Sequence, residues 1–403
     1  MCSWQRLRSS KRSSAPTAFF AHLPGEFLTL METPEFKATL AGSAGFTAGF
    51  KMLKQFRPIA RRQLTAEWKA AERFKPDLII YHPKAIGVPS IGEKLHCPTV
   101  LASPLPGFTP TGKFASPMVP FRSVGLLNRL THMVMADGAD ALFKSMISDW
   151  RVSELGLSAK PAHRLRQQAT LYAYSPVVIP VPDDWPASVA VTGYWFLDDD
   201  SDWRPDAALT TFLDAGDPPV YVGFGSVPGL DPVVLTKAVV DALRNAGKRG
   251  VLATGGGALL GNVMAGHIHV IDGAPHDKLF SLMAACIHHG GAGTTAAALR
   301  AGRPQVICPF FGDQPFWARR MTELGVATDP LPLKQITAER LTFHILKATN
   351  NPAMSRRARA VASAVTSEDG VTNAMDSLKT AGLILACVRP QADRGDGRSS
   401  PST

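Results

Sequence analysis

The chain has 403 residues, 45% of them hydrophobic and 19% charged, which suggests two domains with proper cores and excludes wholesale disorder. No apolar run approaches the ~18 residues of a membrane span. The formal charge of +10 sits largely in the two tails and in "MSRRARAVASAV", the outer face of an expected helix, so nucleic-acid binding is not expected. Cys2, Cys97, Cys286, Cys308 and Cys387 form no CxxC pair. That spacing argues against a zinc site or a disulfide framework and fits a reducing cytoplasm.

Residues 1–17, "MCSWQRLRSSKRSSAPT", are basic and Ser-rich without the apolar stretch of a secretory signal, and are expected to be disordered. Residues 18–185 form a first domain. In it "FKMLKQFRPIARRQLTAEWKAAERF" has helical spacing, "KPDLIIYH" reads as a buried strand, and "HCPTVLASPLPGFTPTG" reads as a strand followed by the Pro/Gly loop of a cleft edge. Asp137 and Asp140 in "MADGADAL" have helical spacing and read as surface residues. Residues 186–217 are rich in Pro, Asp and Trp and read as an interdomain connection with little regular structure. Asp198 to Asp200 lie there, as a solvated run or a cap.

From 218 to 386 the runs "PPVYVGFGSV", "GVLATGGG", "HIHVIDGAP", "ACIHHGG" and "PQVICPF" have strand length and alternate with helices or loops. That order predicts parallel strands in a doubly wound sheet, whose ligands gather at the carboxyl ends of the strands. Residues 387–403 are polar and read as a disordered tail.

"ACIHHGGAGTTAAALRAG" reads as a strand end, a glycine turn and a helix beginning near Thr294. A helix start offers unpaired amides and partial positive charge, and glycines let a ligand approach the backbone. The same pattern also serves close helix-to-sheet packing. "GFGSV" adds a second glycine turn that can aim Ser226 into the same cleft. It is neither a P-loop nor a dinucleotide fingerprint, because no GK[ST] follows and proline stands where the helix would begin. In "PFFGDQPFWARR", Asp313 and Gln314 can hydrogen-bond hydroxyl groups, or Asp313 can cap a helix with Pro315 at its first position.

Together "VYVGFGSV", "DGAPHDKLF", "HHGGAGTTAAALRAGRPQVICPFFGDQPFWARRM" and "GYWFLDDD" resemble the family 1 nucleotide-sugar-dependent glycosyltransferases, especially the sterol 3-beta-glucosyltransferase-like branch. The resemblance implies an α/β fold of the GT-B type, two Rossmann-like doubly wound domains facing a cleft, with a UDP-sugar in the C-terminal one. On that pattern His289 donates to the diphosphate, and Gly291, Gly293, Thr294 and Thr295 line it. Ser226 faces the same phosphates, Ala274, Pro275 and His276 pack on the uracil, and Asp313 and Gln314 hold the sugar hydroxyls. His288 is structural. Plant-type members carry Trp and Glu where Gly273 and Ala297 align here, which weakens the inference to a particular nucleotide and favours the sterol-like branch.

The implied reaction is metal-independent, inverting transfer of a hexose, glucose first, to a hydroxyl of a lipophilic acceptor such as a sterol or other natural product. No cofactor is implied beyond the UDP-sugar co-substrate, and peripheral membrane contact comes through the acceptor. The family's base stands in the first N-terminal loop; the sequence is expected to enter the fold after that loop and so to lack the first strand-loop-helix unit. His22, the early histidine, falls one residue beyond an expected strand, and no catalytic base is assigned. The alternatives are an inactive nucleotide-sugar-binding remnant and, less supported, an epimerase of the same architecture.

Overall fold

The computed structural model describes residues 46–119, 121–161, 167–197, 203–225, 231–332 and 335–384. They form two parallel sheets. The first has the order β1 (Ile79–Tyr81), β2 (Thr99–Ser103), β3 (Ala169–Tyr172), β4 (Val189–Val191). The central strands β2 and β3 are almost wholly buried, as expected of parallel strands covered on both faces. Helix α1 (Phe46–Phe74), α2 (Val88–Leu95) and α3 (Asn128–Ser153) flank the sheet, joined through Leu64, Trp68, Ile91, Met146 and Trp150. Each fully buried aliphatic side chain of this kind contributes about 1.5–3 kcal/mol.

A short helix α4 (Ala207–Asp214), capped by the Asp206 side chain, leads into the second sheet. Its strands are β5 (Val220–Gly223), β6 (Gly250–Ala253), β7 (Ile268–Ile271), β8 (Ala285–His288) and β9 (Gln305–Ile307), in the order β7-β6-β5-β8-β9. Helices α5 (Pro232–Asn245), α6 (His276–Leu279), α7 (Ala292–Arg300), α8 (Gln314–Glu323), α9 (Ala338–Thr349) and α10 (Pro352–Thr366) complete it. The strand order reverses between β5 and β8, which makes their carboxyl ends the switch point where such sheets bind ligands. The expected α/β doubly wound architecture is therefore present.

Two features depart from the sequence expectation. Strand β4 lies inside the stretch read as an irregular connection and pairs with β3 through Thr170 and Val189. The last helix, α11 (Gly370–Thr380), returns to the first sheet, where Ala374 and Leu378 pack on Val100, Ala169 and Leu171. Asn373 Nδ2 donates to the Thr192 carbonyl at 2.9 Å. Gly370 permits this contact, because a Cβ there would stand 2.3 Å from the Tyr194 carbonyl oxygen. A shared core of Tyr172, Tyr174, Ile179, Trp317, Met321 and Val361 fixes the halves against each other.

Candidate functional site

Strands β5 and β8 end level, with Gly223 opposite His288. Beyond β5 the chain turns at Gly225, whose φ of +64° favours glycine. A Cβ there would face His289 Cε1 at 3.6 Å, so the two glycine turns stand side by side. Ser226 lies outside the described residues.

Beyond β8, Gly290 has φ +90°, and a Cβ there would lie 2.6 Å from Ile307 Cγ2 and 3.3 Å from the Gln314 carbonyl oxygen. Gly291 is the N-cap of α7, with φ −60° and ψ 143° and no side-chain cap. Its Cβ would lie 2.6 Å from His289 Nε2. Close approach thus demands glycine twice in succession. The helix begins at Ala292, two residues earlier than expected, so Gly291 and Gly293 both belong to its entrance.

The paired histidines divide their labour. His288 is fully buried, with Nε2 2.9 Å from Gln305 Oε1 and Nδ1 accepting the Gly290 amide at 3.0 Å. Accepting at Nδ1 puts the proton on Nε2, so both nitrogens are committed within the protein. Burial, then the neighbouring His289, pushes its pKa down to about 3. His289 is half-buried, and its Nδ1 has no hydrogen-bond partner among the described residues. Burial, then His276, pushes its pKa down to about 4. Thr295 is 1% exposed and its hydroxyl is likewise buried without a partner.

Buried polar atoms are rarely left unpaired. Two stand here at a helix entrance that no side chain caps, whose first amides lack intrahelical carbonyls and whose dipole favours an anion. Thr294 is half-buried beside them, and a Cβ on Gly293 would meet nothing within 4 Å. Among the described residues, the space beside Gly293 is open and the His289 Nδ1 and Thr295 hydroxyl have no partner.

Ala274 packs with Ala297 and Tyr221 on the flank of α7. Gly273 before it faces open space. Pro275 is the N-cap of the four-residue α6, and the His276 ring stacks on Phe280 at 4.4 Å. One face of the His276 ring is thereby covered, and burial lowers its pKa.

Gln314 turns back on its own loop, where Oε1 accepts the amides of Phe310 at 2.7 Å and Phe311 at 3.2 Å. Its acceptor oxygen is thus spent on these two amides. Asp313 holds the N-cap position of α8 without capping it, and Pro315 is the second helical residue. Its Oδ2 instead accepts the Trp317 indole N–H at 3.0 Å. Burial raises its pKa, opposed in part by that bond and by Lys84.

Lys84 comes from the first half, in the turn after β1, which the sequence reading passed over. His82 precedes it, and its Nδ1 accepts the Lys84 amide at 3.1 Å. The neutral ring therefore carries its proton on Nε2, a donor and not a base. A polar "HPK" directly after an apolar strand was the available signal, since that is the ligand edge of such a sheet.

His289, Gly291, Gly293, Thr294 and Thr295 thus line one helix entrance, Gln314 touches it through Gly290, and Asp313 follows at the start of α8. Ala274, Pro275 and His276 lie along its flank. His22 and Asp198 to Asp200 lie outside the described residues, as does the Asp140 side chain. Asp137 is exposed on α3. Among the described residues no helix is long and apolar enough to cross a membrane.

Residues 251–379 match the family described as erythromycin biosynthesis protein CIII-like, C-terminal domain. Over 330 residues the chain is 36% identical to a sterol 3-beta-glucosyltransferase of Neosartorya fischeri, covering 78% of this chain and 23% of that protein. It is 35% identical over 311 residues to a sterol 3-beta-glucosyltransferase of Arabidopsis thaliana, covering 75% and 48%. The chain therefore spans less than half the length of either curated relative. The crystal structure of the glycotransferase of kitacinnamycin superposes with a TM-score of 0.62 at 19% identity, covering 82% of each chain. The chain is thus similar in sequence to sterol 3-beta-glucosyltransferases over about three quarters of its length, and its fold is that of the GT-B glycosyltransferases.

Proposed function

We propose that this chain transfers a hexose, glucose first, from a UDP-sugar to a hydroxyl of a lipophilic acceptor such as a sterol, with inversion and without a metal. The carrying observation is the uncapped entrance of α7, where His289 Nδ1 and the Thr295 hydroxyl are buried without partners among the described residues. The curated relatives are named sterol 3-beta-glucosyltransferases, which supports the same sugar and acceptor class.

In such a transfer the acceptor oxygen bonds to the anomeric carbon as the bond to the diphosphate breaks. The electron pair leaves with the diphosphate, and the acceptor proton passes to a base that no described residue is assigned to supply. Charge developing on the leaving group meets the first amides of α7 and the His289 ring. Fixed donors of this kind act without reorganising during the reaction. Asp313 and the Gln314 NH2 group hold sugar hydroxyls at the neighbouring helix start, while Ala274, Pro275 and His276 form the wall for the base.

Calorimetry with UDP, followed by product analysis with UDP-glucose and a sterol, tests the proposal. Heat with UDP and a β-linked glucoside are expected. Absence of heat with UDP would overturn the donor site, and heat without hydrolysis or transfer would favour a binding protein.

A further inference from the structure

Asp313 stands at the N-cap of α8, with φ −83° and ψ −8°, and its side chain makes no cap bond. An aspartate in that place ordinarily accepts an amide of the first turn. Here Oδ2 turns instead to Trp317, one helical turn on, and accepts its indole N–H at 3.0 Å.

Trp317 is a fixed donor. It is 1% exposed, in the core shared by the two halves, with the Phe316 ring set edge-on to it at 5.2 Å between centroids. Gln314 holds the approach to the same carboxylate, because its Oε1 accepts the amides of Phe310 and Phe311 in the loop that enters α8. Asp313 is thus clamped at one oxygen and through its backbone.

The bond is not forced by the needs of the indole. A buried indole N–H usually finds an acceptor, yet Trp150 and Trp185 keep theirs buried without a partner among the described residues. Packing in this chain tolerates an unpaired indole, so the reason for the Trp317 bond lies with the carboxylate. Burial favours its protonated form, while the indole donor and Lys84, in the turn after β1, favour the charged one. The same turn carries His82, and the adjoining entrance of α7 carries His289. Burial pushes both down to about 4, so above that pH they stand neutral and Lys84 supplies the charge.

We propose that Trp317 is a positioning residue for the donor sugar: its indole N–H fixes Asp313 with Oδ2 turned to the core and Oδ1 offered, as a carboxylate, to a hydroxyl of the hexose. The inference rests on the reading of Asp313 as a sugar-side group.

Calorimetry of the full chain with UDP and with UDP-glucose, over a series of pH values, tests it. For each protein the affinity for UDP-glucose is divided by that for UDP, and then by the same quotient for Asp313→Asn at that pH, which cancels the ionisation of the ligands. The parent quotient should stand about tenfold or more above one, the worth of a bond to a charged group, and fall as acid protonates Asp313. Trp317→Phe lacks the donor that favours the charged form, so its quotient should be lower and its fall should come at higher pH. Added to Asp313→Asn, Trp317→Phe should cost UDP-glucose no more than it costs UDP. A packing role alone would weaken both ligands alike and leave the pH of the fall in place. Replacing the indole of Trp317 by the isosteric benzothiophene, which keeps the shape and lacks the N–H, should reproduce the shift, and it decides the matter if Trp317→Phe does not fold. A parent-like quotient and pH dependence in either replacement, equal losses for both ligands, or an undiminished selective loss in the Asp313→Asn background overturns the proposal. Absence of UDP heat in the parent sinks the donor reading and this inference with it, whereas UDP heat with an unmoved quotient sinks this inference alone.

Discussion

Gly291→Ala isolates the role of the His289 ring. The backbone at Gly291, φ −60° and ψ 143°, is open to any residue, so the substitution brings no conformational strain. It brings one collision: the new methyl would sit 2.6 Å from His289 Nε2, with Cδ2 and Cε1 at 3.4 and 3.5 Å. The ring must retreat by most of an ångström. If His289 donates to the diphosphate, the bond lost is one to a charged group, worth about 1.5–3 kcal/mol, so the UDP Kd should rise about 10- to 150-fold. His289→Ala should cost the same. The double variant should be no worse than His289→Ala alone, because both changes remove one interaction and their effects are not additive. Calorimetry with UDP measures all four proteins, and thermal melts guard against misfolding, since Gly→Ala at an unstrained position tends to stabilise. Undiminished UDP affinity in Gly291→Ala, or losses that add in the double variant, would refute the reasoning.

His288→Ala should act on stability instead, because it leaves the buried Gln305 Oε1 and the Gly290 amide unpaired; a loss of about 1–3 kcal/mol in urea unfolding is expected. The pH dependence follows from the two imidazoles, whose folded pKa values of about 3 and about 4 lie below the ordinary 6.5. Between those values and 6.5 the unfolded chain binds more protons, so their stabilising effect is complete above 6.5 and is lost as pH falls through the window. Urea midpoints rising between pH 4 and 6.5 in the parent chain, and rising less in His288→Ala, would check this. Asp313→Asn should leave UDP affinity unchanged while weakening UDP-glucose binding and turnover, because Asp313 is assigned to the sugar; equal losses for both ligands would reassign it.

The second sheet was legible because its strands are buried on both faces and read as continuous apolar runs between glycine turns. The helix entrance was legible for a related reason, since Gly290 and Gly291 stand where chain and side-chain packing leave no room for Cβ atoms. Strand β4 was not, because three half-buried residues in a proline-rich stretch make no run. The role of Gln314 depends on its side chain folding back onto Phe310 and Phe311, which residue type cannot announce. His82 and Lys84 matter only because the two halves face each other. Helical spacing made Asp137 legible as a surface residue, while the burial of Asn128 and His132 on α3 depends on the loop they hold.

Helix α8 links the site to the arrangement of the halves. Its start presents Asp313 and Gln314, and its last turn carries Arg320, whose Nε donates to the Val178 carbonyl of the first half. Glu323, in the same turn, pairs with Arg122 at 3.2 Å and with Arg320 at 2.9 Å. Behind it the return segment is tied again, with Ser175 donating to Glu368 Oε1 at 2.6 Å and α11 seated on the first sheet. Helix α8 and the chain from Glu368 onward therefore both tie the two sheets to each other. A rigid helix that carries Asp313 and Gln314, the residues proposed to hold the sugar, at one end and the interdomain bonds at the other cannot tilt toward a ligand without loading those bonds. On the proposed function, donor binding and cleft geometry are therefore coupled through α8.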